Sequence, residues 1–144
     1  MLIVYFRLYS FVNVCKRIII DFQPEFKDLL MVTLKEVKAF SLAFEEAEEQ
    51  PHFEKQSFRV KKKIFATLDT KLNRVVLKLS AVDQSVFSSN KNKAIYPVDN
   101  AWGKQGWTIV ELKKVRKDVF KDALTSSYCT VAPKKLAEKY LPKI

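Results

Sequence analysis

The chain has 144 residues but only two glycines, where an average chain of this length carries about ten. Both glycines, Gly103 and Gly106, lie between the chain's only two tryptophans, Trp102 and Trp107. Glycine is needed where φ is positive or where another group approaches the backbone closely. The segment 102–107 is therefore predicted to be a loop with unusual backbone and a large aromatic surface. It is either a tight loop anchored in the core or a recognition loop.

Histidine and cysteine are also scarce. The single histidine, His52, excludes most histidine-based metal sites and argues against Ser/His or Cys/His catalysis. Cys15 and Cys129 lie far apart and outside any CxxC pair, which is typical of reduced thiols in a cytoplasmic protein. The chain contains no GxSxG, P-loop, GxGxxG or HExxH motif. We therefore expect a non-enzymatic, cytoplasmic protein with no catalytic residue, no cofactor and no bound metal.

No uninterrupted hydrophobic run approaches the ~20 residues that span a bilayer, so we expect no membrane association. Residues 1–30 lack the charge and size order of a signal peptide. Their composition differs from the rest of the chain, and Met31 stands directly before a clear helix start. Our hypothesis is that 1–30 is an N-terminal extension upstream of the natural start. Residues 31–144 are predicted to form a single domain, and a monomer is favoured.

The remaining patterns predict a mixed fold. Thr33 to Glu36 form a capping box, which starts a helix whose apolar spacing continues to Ala47 and ends near Gln50. Alternation over 57–68 predicts a hairpin with its turn at 62–63, followed by a strand at 75–80. A short helix at 81–88, strands near 94–98 and 107–112, and two C-terminal helices complete the order α-β3-α-β2-α2. This order predicts an α+β fold, a two-layer antiparallel sheet with helices on one face.

The formal net charge of +10 favours an acidic partner such as nucleic acid. Residues 55–78 carry eight basic side chains against one acidic side chain, and three consecutive lysines stand at the predicted hairpin turn. A basic β-ribbon can contact phosphates or enter a groove. The alternative is a solvated sheet edge, where lysine deters aggregation.

A run of glutamates, Glu45, Glu46, Glu48 and Glu49, is predicted at the end of the first helix, where it opposes the helix dipole. Carboxylate oxygens are ligands for hard cations such as calcium or iron. The run lacks the interleaved spacing of a calcium loop, so a solvated acidic face is the favoured interpretation.

The order of several short segments resembles the MmcQ/YjbR family of small bacterial proteins over about residues 31–144. The matching segments are Pro51-His52-Phe53, Ser57 to Val60, Lys63 to Leu68, Val76 to Leu79, Tyr96 to Val98, Asn100 to Gly103 and Gly106 to Thr108. The resemblance implies a CyaY-like fold, a cytoplasmic location and a DNA-binding function through a double-wing motif. It places the wing hairpin on 59–65 and a Trp-Gly loop on 100–107. The chain departs from the family by carrying lysines where glycine is common in the hairpin turn. The frataxin-like shape also implies iron binding through an acidic helix, which here is the glutamate run.

Two functions follow as expectations. The first is binding of DNA or another nucleic acid, with bases stacking on Trp102 or Trp107 beside Lys104. The phosphates would contact Arg59, Lys61, Lys62, Lys63 and Lys78. The alternative is a protein- or small-ligand-binding module whose pocket is formed by Asn100, Trp102, Gly103, Gly106 and Trp107. Two buried indoles would favour the alternative, and one exposed indole beside lysines would favour stacking on nucleic acid.

Overall fold

The computed structural model describes residues 31–89 and 91–142, so the hypothesis about residues 1–30 lies outside the described residues. A six-stranded antiparallel sheet organises the described chain, in the order β1-β2-β3-β4-β6-β5. Its first four strands form a meander of short turns. The strands are β1 Ala47–His52, β2 Lys55–Val60, β3 Lys63–Asp69, β4 Arg74–Lys78, β5 Ile95–Pro97 and β6 Trp107–Glu111.

Five helices accompany the sheet in the described residues. They are α1 Leu34–Leu42, α2 Ala81–Ser88, α3 Ala101–Lys104, α4 Lys117–Val131 and α5 Lys134–Ala137. The longest, α4, packs on β3 and β4. There the hydroxyl of Ser127 donates to the Phe65 carbonyl and accepts from the Lys78 amide, which ties the helix to both strands. The predicted α+β fold class is confirmed. Within 31–89 and 91–142, no helix has both the length and the apolar character that a membrane span requires.

The first helix is shorter than its sequence pattern predicts. The capping box forms as expected, with the Glu36 amide donating to the Thr33 hydroxyl at 3.2 Å. The helix ends at Leu42, however, and Glu46 has a φ of 56°, which an α-helix does not accept. Residues 47–52 instead pair with β2 as an edge strand. The predicted helical end near Gln50 is therefore wrong, and the sheet has one strand more than predicted.

A bulge in β3 decides which side chains face the helices. Phe58 pairs with Ala66 whereas Arg59 pairs with Ile64, so Phe65 is the extra residue in β3. Phe65 and Ala66 are both fully buried, and Phe65 packs edge-on against Tyr128 of α4 at 5.4 Å between ring centres. Ile64 and Thr67 consequently share the opposite face of the sheet.

The two faces of the sheet differ in character. The helix-facing side chains of the central strands are completely buried and form the core, among them Phe58, Val75, Leu77 and Val110. On the opposite face, register places Thr67 beside Val76 and Val76 beside Ile109. This second face carries a pocket, and both candidate functions concern it.

Candidate nucleic-acid interface and adjoining pocket

The β2–β3 turn is the most basic turn of the predicted interface. Lys61 and Lys62 are its two central residues, with φ of 49° and 68°, as in a type I′ turn. Sequence analysis placed this turn one residue later, at 62–63. Lys61, Lys62 and Lys63 are all exposed, and Lys61 forms an ion pair with Glu46. Among the residues that the structure describes, Lys62 and Lys63 have no ion-pair partner.

Lys78 and Lys104 lie at the same end of the sheet as this turn. In the antiparallel pair of β3 and β4, Leu77 lies opposite Ala66. Lys78, the next residue of β4, therefore lies near the start of β3, where the lysine turn ends. Its Nζ lies 5.5 Å from the centre of the Trp107 ring and donates to the Gln105 carbonyl. Lys104 ends α3 and is exposed. The sheet therefore brings five of the six predicted cations to one end.

Arg59, the sixth, is placed differently. It is half-buried within β2, and its Nε donates to the Ser57 hydroxyl at 3.1 Å. Ser57 in turn donates to the Gln50 carbonyl at 2.8 Å. Arg59 is thus held along the sheet face rather than at the exposed turn.

The tryptophan loop is both tight and exposed. A Cβ at Gly103 would lie 1.9 Å from the Val98 carbonyl oxygen, which accounts for the glycine there. The Asn100 side chain caps α3 by accepting from the Trp102 amide at 2.8 Å. Trp102 nevertheless keeps 58% of its surface exposed, whereas Trp107 is half-buried. The segment is therefore a tight loop that also exposes an aromatic surface, as predicted, and its role in recognition stays a prediction.

A pocket of about 650 Å³ crosses the sheet face beside this loop. Its size is within the 300–1,000 Å³ typical of ligand sites, and its lining is mainly apolar. Both tryptophans line it, while Asn100, Gly103 and Gly106 do not and instead shape the loop backbone. Its lining residues are His52, Phe53, Glu54, Lys55, Ile64, Thr67, Val76, Val98, Trp102 and Trp107.

Sequence reasoning missed the far side of the pocket, which is the β1–β2 turn. Phe53 in that turn is 94% exposed and has a φ of 56°. The neighbouring His52 ring packs edge-on against it, with ring centres 4.8 Å apart. The available signal was an aromatic residue in Pro51-His52-Phe53, at a turn position where asparagine or glycine is usual.

Two ion pairs lie at the end of the sheet opposite the lysine turn. Lys55 lies 3.1 Å from Asp69, and Arg74 lies 2.8 Å from Glu111. Burial opposes ionisation of Asp69, but hydrogen bonds from the Leu72 amide and from Lys55 outweigh it and lower the pKa of this carboxyl. These two pairs neutralise the charges of the sheet face itself at this end, while Lys113 and Lys114 beyond β6 remain exposed.

The glutamate run does not lie on a helix, so its predicted placement was wrong. Glu45 pairs with Lys139, Glu46 with Lys61, and Glu49 with Lys38 at 2.7 Å. Within the described part of the chain, no group of three or more His, Cys, Asp or Glu side chains is placed to hold a metal ion. The carboxylates of this run instead neutralise lysines of α1, the β2–β3 turn and the C-terminal segment.

These features define a small α+β domain whose antiparallel sheet carries a pocket on one face and helices on the other. The YjbR family model matches residues 42–130, and the chain belongs to this family. The resemblance found in the sequence is thereby confirmed.

The fold is shared with a solved structure. The crystal structure of Deinococcus radiodurans protein DR2400, which contains a DUF419 domain, is similar with a TM-score of 0.63 and 21% identity. The similarity covers 78% of this chain and 91% of that one. No functionally curated protein matches the chain.

Proposed function

We propose that this protein is a non-enzymatic nucleic-acid-binding domain that contacts DNA with the lysine end of its sheet. One observation carries the proposal: Trp102, whose indole is 58% exposed, lies on the same short helix as Lys104, which forms no ion pair within the described residues. Trp102 offers a stacking surface for a base, and Lys104 follows it by two residues. Base–aromatic stacking and phosphate neutralisation are the two contributions on which sequence-tolerant nucleic-acid binding depends.

The β2–β3 turn supplies the phosphate contacts in this proposal. Lys62 and Lys63 are exposed, and Lys61 needs only to exchange Glu46 for a phosphate. An exposed ion pair of this kind contributes little, so the exchange is cheap. Each neutralised phosphate releases counterions, which makes the affinity depend steeply on salt.

The test is fluorescence anisotropy of labelled DNA against the full chain at several salt concentrations. The informative variant is Lys61→Asn/Lys62→Gly, which removes two charges and introduces the residues that a type I′ turn prefers. We expect weaker binding and a log–log salt slope smaller by about one to two units. The matched control is Lys113→Gln/Lys114→Gln, which removes the same charge beyond the other end of β6.

If the control variant loses as much DNA affinity as the turn variant, the phosphate contacts do not lie at the β2–β3 turn. No binding by the natural chain at ~50 mM salt would overturn the proposed function, because even a few phosphate contacts are detectable there.

The second candidate is a protein- or small-ligand-binding module, and the pocket of about 650 Å³ favours it. In that case the lysines serve solubility and the ligand contacts Trp102, Trp107 and the sheet face. Ligand-observed NMR with small aromatic and aliphatic fragments would test it. Binding that is independent of salt and lost in Trp102→Ala would favour this candidate over nucleic acid.

A further inference from the structure

Two exposed aromatic side chains reach the pocket from different parts of the chain. Phe53 comes from the β1–β2 turn and Trp102 from α3, and both line the same pocket. Phe53 is 94% exposed and Trp102 is 58% exposed, so neither is needed to complete the core. Large aromatics that remain in solvent at the edges of an apolar pocket are typical of a binding site.

Phe53 is also unfavourable in its own turn. It has a φ of 56°, a conformation that costs about 1–3 kcal/mol for a residue other than glycine, asparagine or aspartate. Its side chain recovers almost none of that cost by burial. A residue that breaks the local rule without a structural gain indicates a function, here contact with something that the pocket receives.

The lining of the pocket fits a flat ring with a polar edge. Ile64, Val76 and Val98 offer apolar surface, while the Thr67 hydroxyl and the side chains of His52 and Lys55 offer hydrogen-bonding groups. Aromatic walls favour a planar ligand, since offset stacking gains about 0.5–1.5 kcal/mol beyond area burial. A nucleobase has this combination of a flat face and a polar edge.

The charges around the pocket favour a base that is attached to a phosphate chain. Of the acidic groups nearby, Glu54 lies 2.8 Å from Lys71, and Asp69 lies 3.1 Å from Lys55. Asp99, next to Val98, is the exposed acidic residue that remains. Lys78 at Trp107 and Lys104 beyond Trp102 form no ion pair within the described residues, so the tryptophan side of the pocket has a positive excess.

From these observations we infer that the pocket receives unpaired bases of single-stranded nucleic acid, which stack on Trp102 at one side and on Phe53 at the other. The inference rests on the proposed function and narrows it to strands with unstacked bases. A base within a duplex reaches a pocket only after flipping out, which costs a few kcal/mol. The protein therefore binds single strands more tightly than duplexes of equal length.

The experiment compares three labelled probes of about twelve nucleotides, a length that spans a typical single-stranded site. They are an oligothymidine, an abasic strand with the same number of phosphates, and a duplex. The full chain is tested beside Phe53→Asn, Trp102→Ala and a control, Leu141→Ala, which alters an exposed leucine outside the pocket. Asparagine suits the positive φ at position 53, so Phe53→Asn removes the ring without disturbing the turn.

We expect the natural chain to bind the oligothymidine at least about fivefold more tightly than the abasic strand. Phe53→Asn and Trp102→Ala should each bind the oligothymidine about fivefold or more weakly than the natural chain. Their affinity for the abasic strand should equal that of the natural chain. The control should bind every probe like the natural chain.

Three other outcomes distinguish failure of the inference from failure of the function on which it rests. Salt-dependent binding that is equal for all three probes would overturn the inference and leave the proposed function standing. No binding of any probe at ~50 mM salt would overturn both. Free thymidine bound in a Trp102-dependent way without any strand binding would also overturn both and favour the small-ligand module.

Discussion

Gly106 and Leu79 are joined through their backbones at the end of the tryptophan loop. The Leu79 amide donates to the Gly106 carbonyl at 2.9 Å, and a Cβ on Gly106 would lie 2.0 Å from the Leu79 carbonyl oxygen. Gly106 also has a φ of +96°. Its replacement therefore meets both a backbone collision and an unfavourable conformation.

We expect Gly106→Ala to lower the free energy of unfolding by about 2 kcal/mol or more. Urea unfolding of the full chain, followed by circular dichroism, gives the value. Lys104→Ala, an exposed change in the same loop, should stay within about 0.5 kcal/mol of the natural chain. An unchanged midpoint for Gly106→Ala would show that the loop relaxes around a methyl group.

The double variant Lys61→Asn/Lys62→Gly should raise the free energy of unfolding by about 1 kcal/mol. Both lysines have positive φ in the β2–β3 turn, and the pair Asn-Gly is the most favoured at these positions. The lost ion pair with Glu46 is exposed and offsets little of the gain. A lower urea midpoint would contradict the type I′ geometry. A higher urea midpoint would show that weaker DNA binding by this variant is not caused by unfolding.

Tyr128 should make the fold sensitive to alkali. Its side chain is fully buried and its hydroxyl donates to the Glu45 carbonyl at 2.6 Å. Burial, with the nearby Tyr140 and Glu45, raises the pKa of Tyr128 to about 12. The unfolded chain releases this proton near pH 10, so stability is complete below about pH 10 and falls as the pH approaches 12, by up to about 2.7 kcal/mol.

Unfolding free energies measured at a series of pH values between about 9 and 12 test this prediction. Lysines also titrate in this range, so the informative quantity is the difference between the natural chain and Tyr128→Phe. Near neutral pH, Tyr128→Phe should have a free energy of unfolding about 1 kcal/mol lower, because the hydrogen bond of the hydroxyl is gone. As the pH rises, its free energy of unfolding should fall less steeply than that of the natural chain. If the two curves of unfolding free energy against pH are parallel, Tyr128 is not the source of the alkaline sensitivity.

Glu36 should contribute to stability only above the acid range. A hydrogen bond from Lys117 and another from the Thr33 amide lower the pKa of this carboxyl below its ordinary value of 4.5. Because the folded pKa is the lower one, the contribution is present above about pH 4.5 and is lost as the pH falls through the folded value. Glu36→Gln should therefore be less stable than the natural chain at pH 7 and equal to it in strong acid. If the difference in unfolding free energy between the two proteins does not change with pH, the substitution acts through packing and not through the charge of Glu36.

Local signals in the sequence predicted much of the fold. The capping box at Thr33 and the helix at 81–88 depend on interactions within a few residues, and both form as expected. The edge strand β1 was missed because the helical spacing of apolar residues continues into it through Phe44. That side chain is apolar for a tertiary reason, since its ring stacks on Tyr128 with centres 4.5 Å apart.

The candidate site could be predicted only in part, for a similar reason. The glycines and tryptophans lie together in the sequence, so their loop was evident. Phe53, Thr67 and Val76 reach the same pocket only because strand register and the bulge at Phe65 place them there. Neither register nor a bulge has a reliable signature within one short segment.

The strand order also has a consequence for synthesis on the ribosome. The meander β1–β4 is joined by short turns and emerges before β5 and β6, so its hairpins close small loops and can form early. The neighbour of β4 is β6, which follows only after the whole stretch 79–106. Until β6 emerges, the nascent sheet presents the open edge of β4, and an unpaired strand edge favours association with other chains.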